Sequence, residues 1–426
     1  MTRQRPHRRP WTAAILVLAL SALTFGAAQT VAFWHYWGAG GERDAVDALI
    51  AAAEEATGLE VEDRFISGAA TEMRRQLSTA FMAGRPPGVY QSSLGYDLKV
   101  FVDAGRLRPL DDVWARVGGE EIFPEGLRRV VSIDGHPYAI PLNMHVTNHV
   151  FYNVKVFDEL GLTPPTTWEE FHEVSAILRE NGVEPLANAG GSWSLYHIYI
   201  SMAEVLGAEG YFAASRGEIP FDGPEFRAVF EHYRDNYVVN YMADWSGYDW
   251  VGAADRMIDG DVAMYQIGDW LVGLLLGRGL EPLVDFDFFP APGTENLTFI
   301  QVDVIAAPTG PPDQPAVDDF LAAAAGAEAQ AAFNRYKGSV AANLEVPVEI
   351  YGPVMRRVYD RVQAVTADGE VLPNFRFMLP ARLGSEILSQ TVLFALSPDD
   401  ETLDSVLATL EGIRLELLLE DAFVRW

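Results

Sequence analysis

An α/β fold in two lobes is predicted by three observations. From Val31 the chain alternates short apolar runs with amphipathic helical segments, the rhythm of a parallel sheet with right-handed crossovers. Its 426 residues exceed what one hydrophobic core holds, roughly 250 to 300 residues. The pattern also changes near residues 142 and 290, so the chain passes between lobes more than once.

Taken in order, residues 1–28 stand apart. Arg3, Arg5, Arg8 and Arg9 precede an apolar run from Trp11 to Phe25 and the small residues Gly26-Ala27-Ala28, the layout of a cleaved secretory signal. Removing those four arginines and no acids takes the formal charge from -29 to -33. So acidic a surface repels nucleic acid and favours neutral or cationic ligands. The chain has no cysteine, which excludes disulfides, thiol catalysis and a lipid anchor on an N-terminal cysteine. A freely soluble periplasmic protein is expected.

Val31 to Trp37 reads as the first strand. It ends in the aromatic pair Tyr36 and Trp37 and turns through glycines into a helix carrying Glu42 in its first turn. Helix 44–57 stops at Gly58, a second strand spans 59–66, helix 71–83 stops at Gly84, and a third strand runs from Val89 to Gln91-Ser92-Ser93. Ile133-Asp134-Gly135-His136 reads as a hairpin that opens the passage to the second lobe. Thr167 is the expected N-cap of a helix through Glu180, with Glu170 three residues on as its capping-box partner. Helices over 193–206, 250–259 and 270–276 follow, and Phe286 to Pro290 leads into an extended linker. Residues 299–306 alternate as one strand containing Asp303, residues 317–333 form one alanine-rich helix leading to Lys337, and three helical stretches close the chain.

In an open α/β sheet, ligands sit at the carboxyl ends of strands. Tyr36, Trp37, Trp193, Trp245, Trp250 and Trp270 fall at strand ends or helix starts, where an aromatic face can stack on the C–H face of a sugar. Trp245 and Trp250 read mainly as core residues. Glu42, Asp303 and Lys337 supply groups that pair sugar hydroxyls. The glycine run before Glu42 suggests a phosphate loop, but the Glu42 charge occupies the helix dipole site and no Lys-Ser or Lys-Thr follows. Enzyme motifs fail: there is no G-x-S-x-G, and His172-Glu173 lacks a second histidine. His145 and His149 in an extended region make a poor metal site, and neither metal nor cofactor is expected.

Several stretches together carry a pattern: Val31 to Glu42, GRPPGVYQ (Gly84 to Gln91), IDGHPYAIPLNMHVTNHVFYNVKVFDELGL (Ile133 to Leu162), PPTTWEEF (Pro164 to Phe171), IDGDVAMYQIGDW (Ile258 to Trp270) and YKGSVAAN (Tyr336 to Asn343). In this order, from about residue 31 to 400, the chain resembles the extracellular solute-binding proteins of sugar ABC transporters, family 1, glucose/galactose-binding branch. The resemblance implies a two-lobed periplasmic binding protein (Venus flytrap) fold, each lobe a mainly parallel sheet flanked by helices, with a hinge of crossing segments. It implies lobe 1 from 29–141 and 293–343, and lobe 2 from 142–292 and 344–426. It also implies a monomer that is not an enzyme, binds a mono- or short oligosaccharide, with a glucose-like hexose favoured, and delivers it to a membrane permease.

Carried onto this sequence, the ligand-binding set is Tyr36 and Trp37 as a stacking pair, with Glu42, Gln91, Ser93, His145, Trp193, Trp270, Asp303 and Lys337. Two departures bear on the choice of sugar: Ser92-Ser93 stand where the branch carries a lysine, and no histidine occurs near Pro373 to Phe377. On this reading Trp37→Ala and Glu42→Ala each weaken sugar binding with little loss of stability. The rival expectations are a secreted glycosidase and a binding protein for another solute, such as a glycerol phosphodiester or a peptide.

Overall fold

The computed structural model describes residues 29–38, 40–310 and 313–423; the expected signal segment lies outside them. The first sheet has five strands in the order Glu60–Phe65, Thr30–His35, Val89–Ser93, Asp303–Ala306, Ala139–Pro141. The second has four, in the order Phe286–Pro290, His149–Asn153, Val262–Gln266, Glu184–Ala187. Strands built by local crossovers run parallel, as Thr30–His35 does to both its neighbours. Strands that enter a sheet after a passage between lobes run antiparallel, as Asp303–Ala306 does to Val89–Ser93 and His149–Asn153 does to Val262–Gln266.

The passages themselves form a third sheet, ordered Val340–Ala341, Asn143–Val146, Leu297–Gln301, Glu370–Pro373. Four segments distant in sequence are tied here by backbone hydrogen bonds, so this sheet is the physical link between the two α/β halves.

Three expected elements differ. Residues 299–306 do not form one strand: Leu297–Gln301 belongs to the linking sheet and Asp303–Ala306 to the first, with the change of partner at Val302. The alanine-rich helix is two, Gln314–Ala325 and Ala327–Lys337, because Gly326 is extended (φ -68, ψ 152). Phe286–Pro290, expected to lead into a linker, is itself an edge strand paired with His149–Asn153. An edge position accommodates Pro290, which has no N–H to donate.

Other signals act as read. Thr167 Oγ1 accepts from the Glu170 N–H (3.2 Å) and caps Trp168–Glu180. The Glu170 carboxylate reaches back one residue further than a capping box requires, accepting from the Thr166 N–H and hydroxyl, each at 2.7 Å. Helix Gly41–Thr57 buries Ala45, Val46, Leu49 and Ala53 along one face, spaced as a 3.6-residue period dictates.

That helix starts at an unusually close approach. A Cβ on Gly41 would lie 2.5 Å from the Tyr336 carbonyl oxygen, one on Gly273 2.5 Å from the same oxygen, and one on Gly338 2.7 Å from the Gly273 nitrogen. Helices Gly41–Thr57, Trp270–Gly277 and Ala327–Lys337 therefore meet backbone to backbone. Among the described residues no helix is long and apolar enough to cross a membrane.

Candidate functional site

Period-two alternation decides which of the two first-strand aromatics reaches the space between the lobes. Val31, Phe33, His35 and Trp37 point to one face and are all buried. Trp37 lies 5.0 Å from Phe333 and 6.2 Å from Phe33, inside the first lobe. Its expected role as a stacking platform is therefore corrected: only 1% of Trp37 is exposed, and its truncation acts on stability. Tyr36 points to the opposite face. Its N–H donates to Gln91 Oε1 (2.8 Å), and its hydroxyl shares a hydrogen bond with Ser93. Burial and the nearby Asp303 charge both push the phenol upward, so it stays a neutral donor.

Around Tyr36 a polar group assembles from five chain segments. Asp303 starts its strand opposite Ser93, which brings its carboxylate to the end of Val89–Ser93. Gln91 Nε2 donates to Asp303 Oδ1 (3.4 Å), while Asn143 Nδ2 (3.0 Å) and His145 Nε2 (3.2 Å) converge on Asp303 Oδ2. Lys337, the last residue of its helix, places Nζ 2.8 Å from Glu42 Oε1 and 3.8 Å from Asp303 Oδ2. Burial raises the Asp303 carboxyl, but Lys337, His145 and Asn143 more than offset this and hold it well below the usual carboxylate range. Burial likewise lowers the Lys337 ammonium, and Glu42 and Asp303 reverse that. Asp303 and Lys337 are therefore both charged.

His145 joins this group to a residue the sequence reading passed over. Its Nδ1 is 2.5 Å from Asp269 Oδ1, so the imidazole bridges two carboxylates from different parts of the chain. Asp269 caps no helix N–H; its other oxygen accepts from the Val146 N–H (3.1 Å). Burial and Lys337 lower the His145 pKa, but Asp269 and Asp303 outweigh them and the net direction is upward. Burial raises Asp269 above the ordinary aspartate value against the pull of His145.

A group whose pKa is raised on folding adds stability that is complete below its unfolded value, near 6.5 for histidine, and is lost as pH climbs through the folded value. His35, His149 and His197 are all lowered, first by burial, and act oppositely, costing stability as pH falls. His145→Gln should therefore remove stability at pH 6 and progressively less as pH rises to 9, measured as the wild-type-minus-variant difference in urea unfolding. A difference that grows with pH would refute the bridged imidazolium.

The facing wall is aromatic. Trp270 opens helix Trp270–Gly277, with its ring edge-on to His145 at 5.0 Å and 5.8 Å from both Trp193 and Tyr196. Trp193, held in the 3-10 turn Gly191–Ser194, is partly exposed and also lies 6.0 Å from Trp250. Trp250 thus belongs to this wall rather than to an isolated core, a place its position at a helix start could have suggested. Tyr196 donates to Gln301 Oε1 (3.0 Å), fixing the aromatic wall to the linking sheet. Trp245 packs instead against Tyr241 at 5.5 Å.

The structure thus gathers Tyr36, Glu42, Gln91, Ser93, His145, Asp303 and Lys337 into one polar group, with Trp193 and Trp270 on the other side, and removes Trp37. Asn143, Asp269, Tyr196 and Trp250 are added. Among the described residues no three His, Cys, Asp or Glu side chains are arranged to hold a metal ion.

Two α/β halves on a sheet of crossing strands, with polar and aromatic walls meeting between them, define a cleft-type binding protein. The chain belongs to the bacterial extracellular solute-binding protein family, which it matches over residues 39–331. It is 32% identical over 341 residues to a probable sugar-binding periplasmic protein of Rhizobium meliloti, covering 79% of this chain and 81% of that one. It is 29% identical over 334 residues, 77% of this chain and 75% of the other, to an ABC transporter extracellular-binding protein of Pyrococcus horikoshii. Among solved structures, the bacterial solute receptor AcbH, described as exclusively preferring β-D-galactopyranose, has a TM-score of 0.82 at 22% identity, over 92% of this chain and 100% of that one. At that identity the likeness is one of fold. A family of solute-binding proteins accords with the expectation of a binder rather than an enzyme.

Proposed function

We propose that this protein is the sugar-binding subunit of an ABC importer. It takes a mono- or short oligosaccharide, a glucose-like hexose being favoured, between the two lobes and delivers it to a membrane permease. Lobe 1 comprises residues 29–141 and 293–343, and lobe 2 residues 142–292 and 344–426. The observation that carries the reading is the pairing of unlike walls. Glu42, Asp303 and Lys337 offer acceptors and a donor for vicinal hydroxyls, and Trp193 and Trp270 offer faces for the C–H side of a pyranose. The relative in Rhizobium meliloti, named as a probable sugar-binding periplasmic protein, supports the same class.

The protein works as a periplasmic monomer. Ligand favours the closed arrangement by contacting both walls at once, since only a difference in affinity between states shifts their populations. Titration calorimetry of the mature chain against mono- and disaccharides tests this. Saturable binding of at least one sugar is expected; heat-silent titrations across the panel, with no thermal stabilisation, would sink the proposal.

A further inference from the structure

The cleft has an arginine-lined annex. An open cavity of ≈ 150 Å³ is lined by Arg74, Tyr96, Asp97, Arg376, Gly384 and Ser385, among others. Arg74 and Asp97 also border a small void of ≈ 10 Å³ that reaches Tyr36, Gln91 and Ser93. The annex therefore shares a wall with the polar side of the cleft.

Its charge is the reverse of the cleft's. Arg74 is neutralised by Asp97 at 2.5 Å. Arg376 is partly buried, packs over the Phe377 ring at 5.9 Å and, among the described residues, has no carboxylate within ion-pair distance. Arg108, Arg357 and Arg414 are each joined to an Asp or Glu; other arginines such as Arg106 and Arg361 also lack a carboxylate partner, but among the described residues Arg376 is the one of these that lines the cavity. The Arg376 charge reaches the cleft as well, lowering the burial-raised hydroxyls of Tyr36 and Tyr196. The first turn of helix Ala381–Leu396 lines the same cavity through Ala381, Gly384 and Ser385, and no side chain caps it. An uncapped helix start beside an unpaired guanidinium is suited to an anion. Glu42, Asp303 and Asp269 repel one from the cleft itself.

A ligand that satisfies both regions has neutral hydroxyls at one end and an acid at the other. We propose that the sugar is a hexuronic acid, or a short oligosaccharide ending in one, whose carboxylate is received by Arg376 at the start of helix Ala381–Leu396. This rests on the sugar-binding reading above and narrows it. Arg376 is then the residue that selects acid over neutral sugar.

Calorimetry with D-galacturonate, D-glucuronate and digalacturonate, against galactose, glucose and lactose, decides it. At least one acid should bind about 10- to 100-fold more tightly than its neutral parent, the range of one charge-assisted hydrogen bond. Raising the salt should erode that preference, since part of it is screened. Arg376→Gln should weaken the acid at least about 10-fold more than the neutral sugar, while Arg376→Lys, which keeps the charge, should retain part of the preference. Neutral sugars binding as tightly as acids, or Arg376→Gln weakening both alike, would overturn the acid subsite and leave the sugar-binding reading intact. Failure of every sugar, neutral and acidic, would overturn both.

Discussion

Lys337→Met is expected to lower the free energy of unfolding by about 3–5 kcal/mol, the cost of breaking a buried ion pair from one side. The Lys337 side chain is 4% exposed, and it serves Glu42 at 2.8 Å and Asp303 at 3.8 Å. Methionine fills much of the same volume but leaves two carboxylates near each other with the cation gone. Both then move toward protonation, and the variant should lose stability most steeply as pH rises above the ordinary carboxylate range. Adding Glu42→Gln should recover part of the loss, with a coupling of about 0.5–3 kcal/mol in a double-mutant cycle followed by urea unfolding. A single-variant loss below about 1 kcal/mol, the scale of an exposed pair, would mean that water already does the work of the lysine.

Trp270→Ala is the second large effect. The indole is 4% exposed, and Gly268 is shaped for it: a Cβ there would fall 2.0 Å from the Trp270 ring. Emptying so enclosed a seat costs about 3–5 kcal/mol, and the His145, Trp193 and Tyr196 rings lose a shared neighbour. Ligand affinity should fall by at least about 30-fold, the loss typical of a central aromatic contact. Thermal unfolding separates this from Trp193→Ala. Trp193 is partly exposed, so its truncation should lower affinity with a smaller shift in melting temperature. Equal stability loss in the two variants would contradict the packing described.

The α/β rhythm was legible because each early element buries a single face, as Gly41–Thr57 does with Ala45, Val46, Leu49 and Ala53. Periodicity carries no mark where a strand changes sheets, so Leu297–Gln301 and Asp303–Ala306 read as one. The same limit explains Trp37: adjacent aromatics at a strand end point to opposite faces, and a sheet covered on both sides buries whichever faces the larger core. Asp303, Glu42 and Lys337 were found because charge at a strand or helix end stands out. Asp269 and Asn143 were not, since an Asp before a helix reads as a cap and an Asn before a strand as a turn. Only their long-range partners, His145 and Asp303, reveal their use.

The approach of Gly41, Gly273 and Gly338 has a bearing on how such a protein changes over generations. Where peptide groups set the spacing between helices, that spacing owes nothing to rotamers, and side chains lining the walls can be exchanged without altering how closely the three helices meet here. The three glycines are not free in the same way, because any side chain there acts as a wedge against backbone.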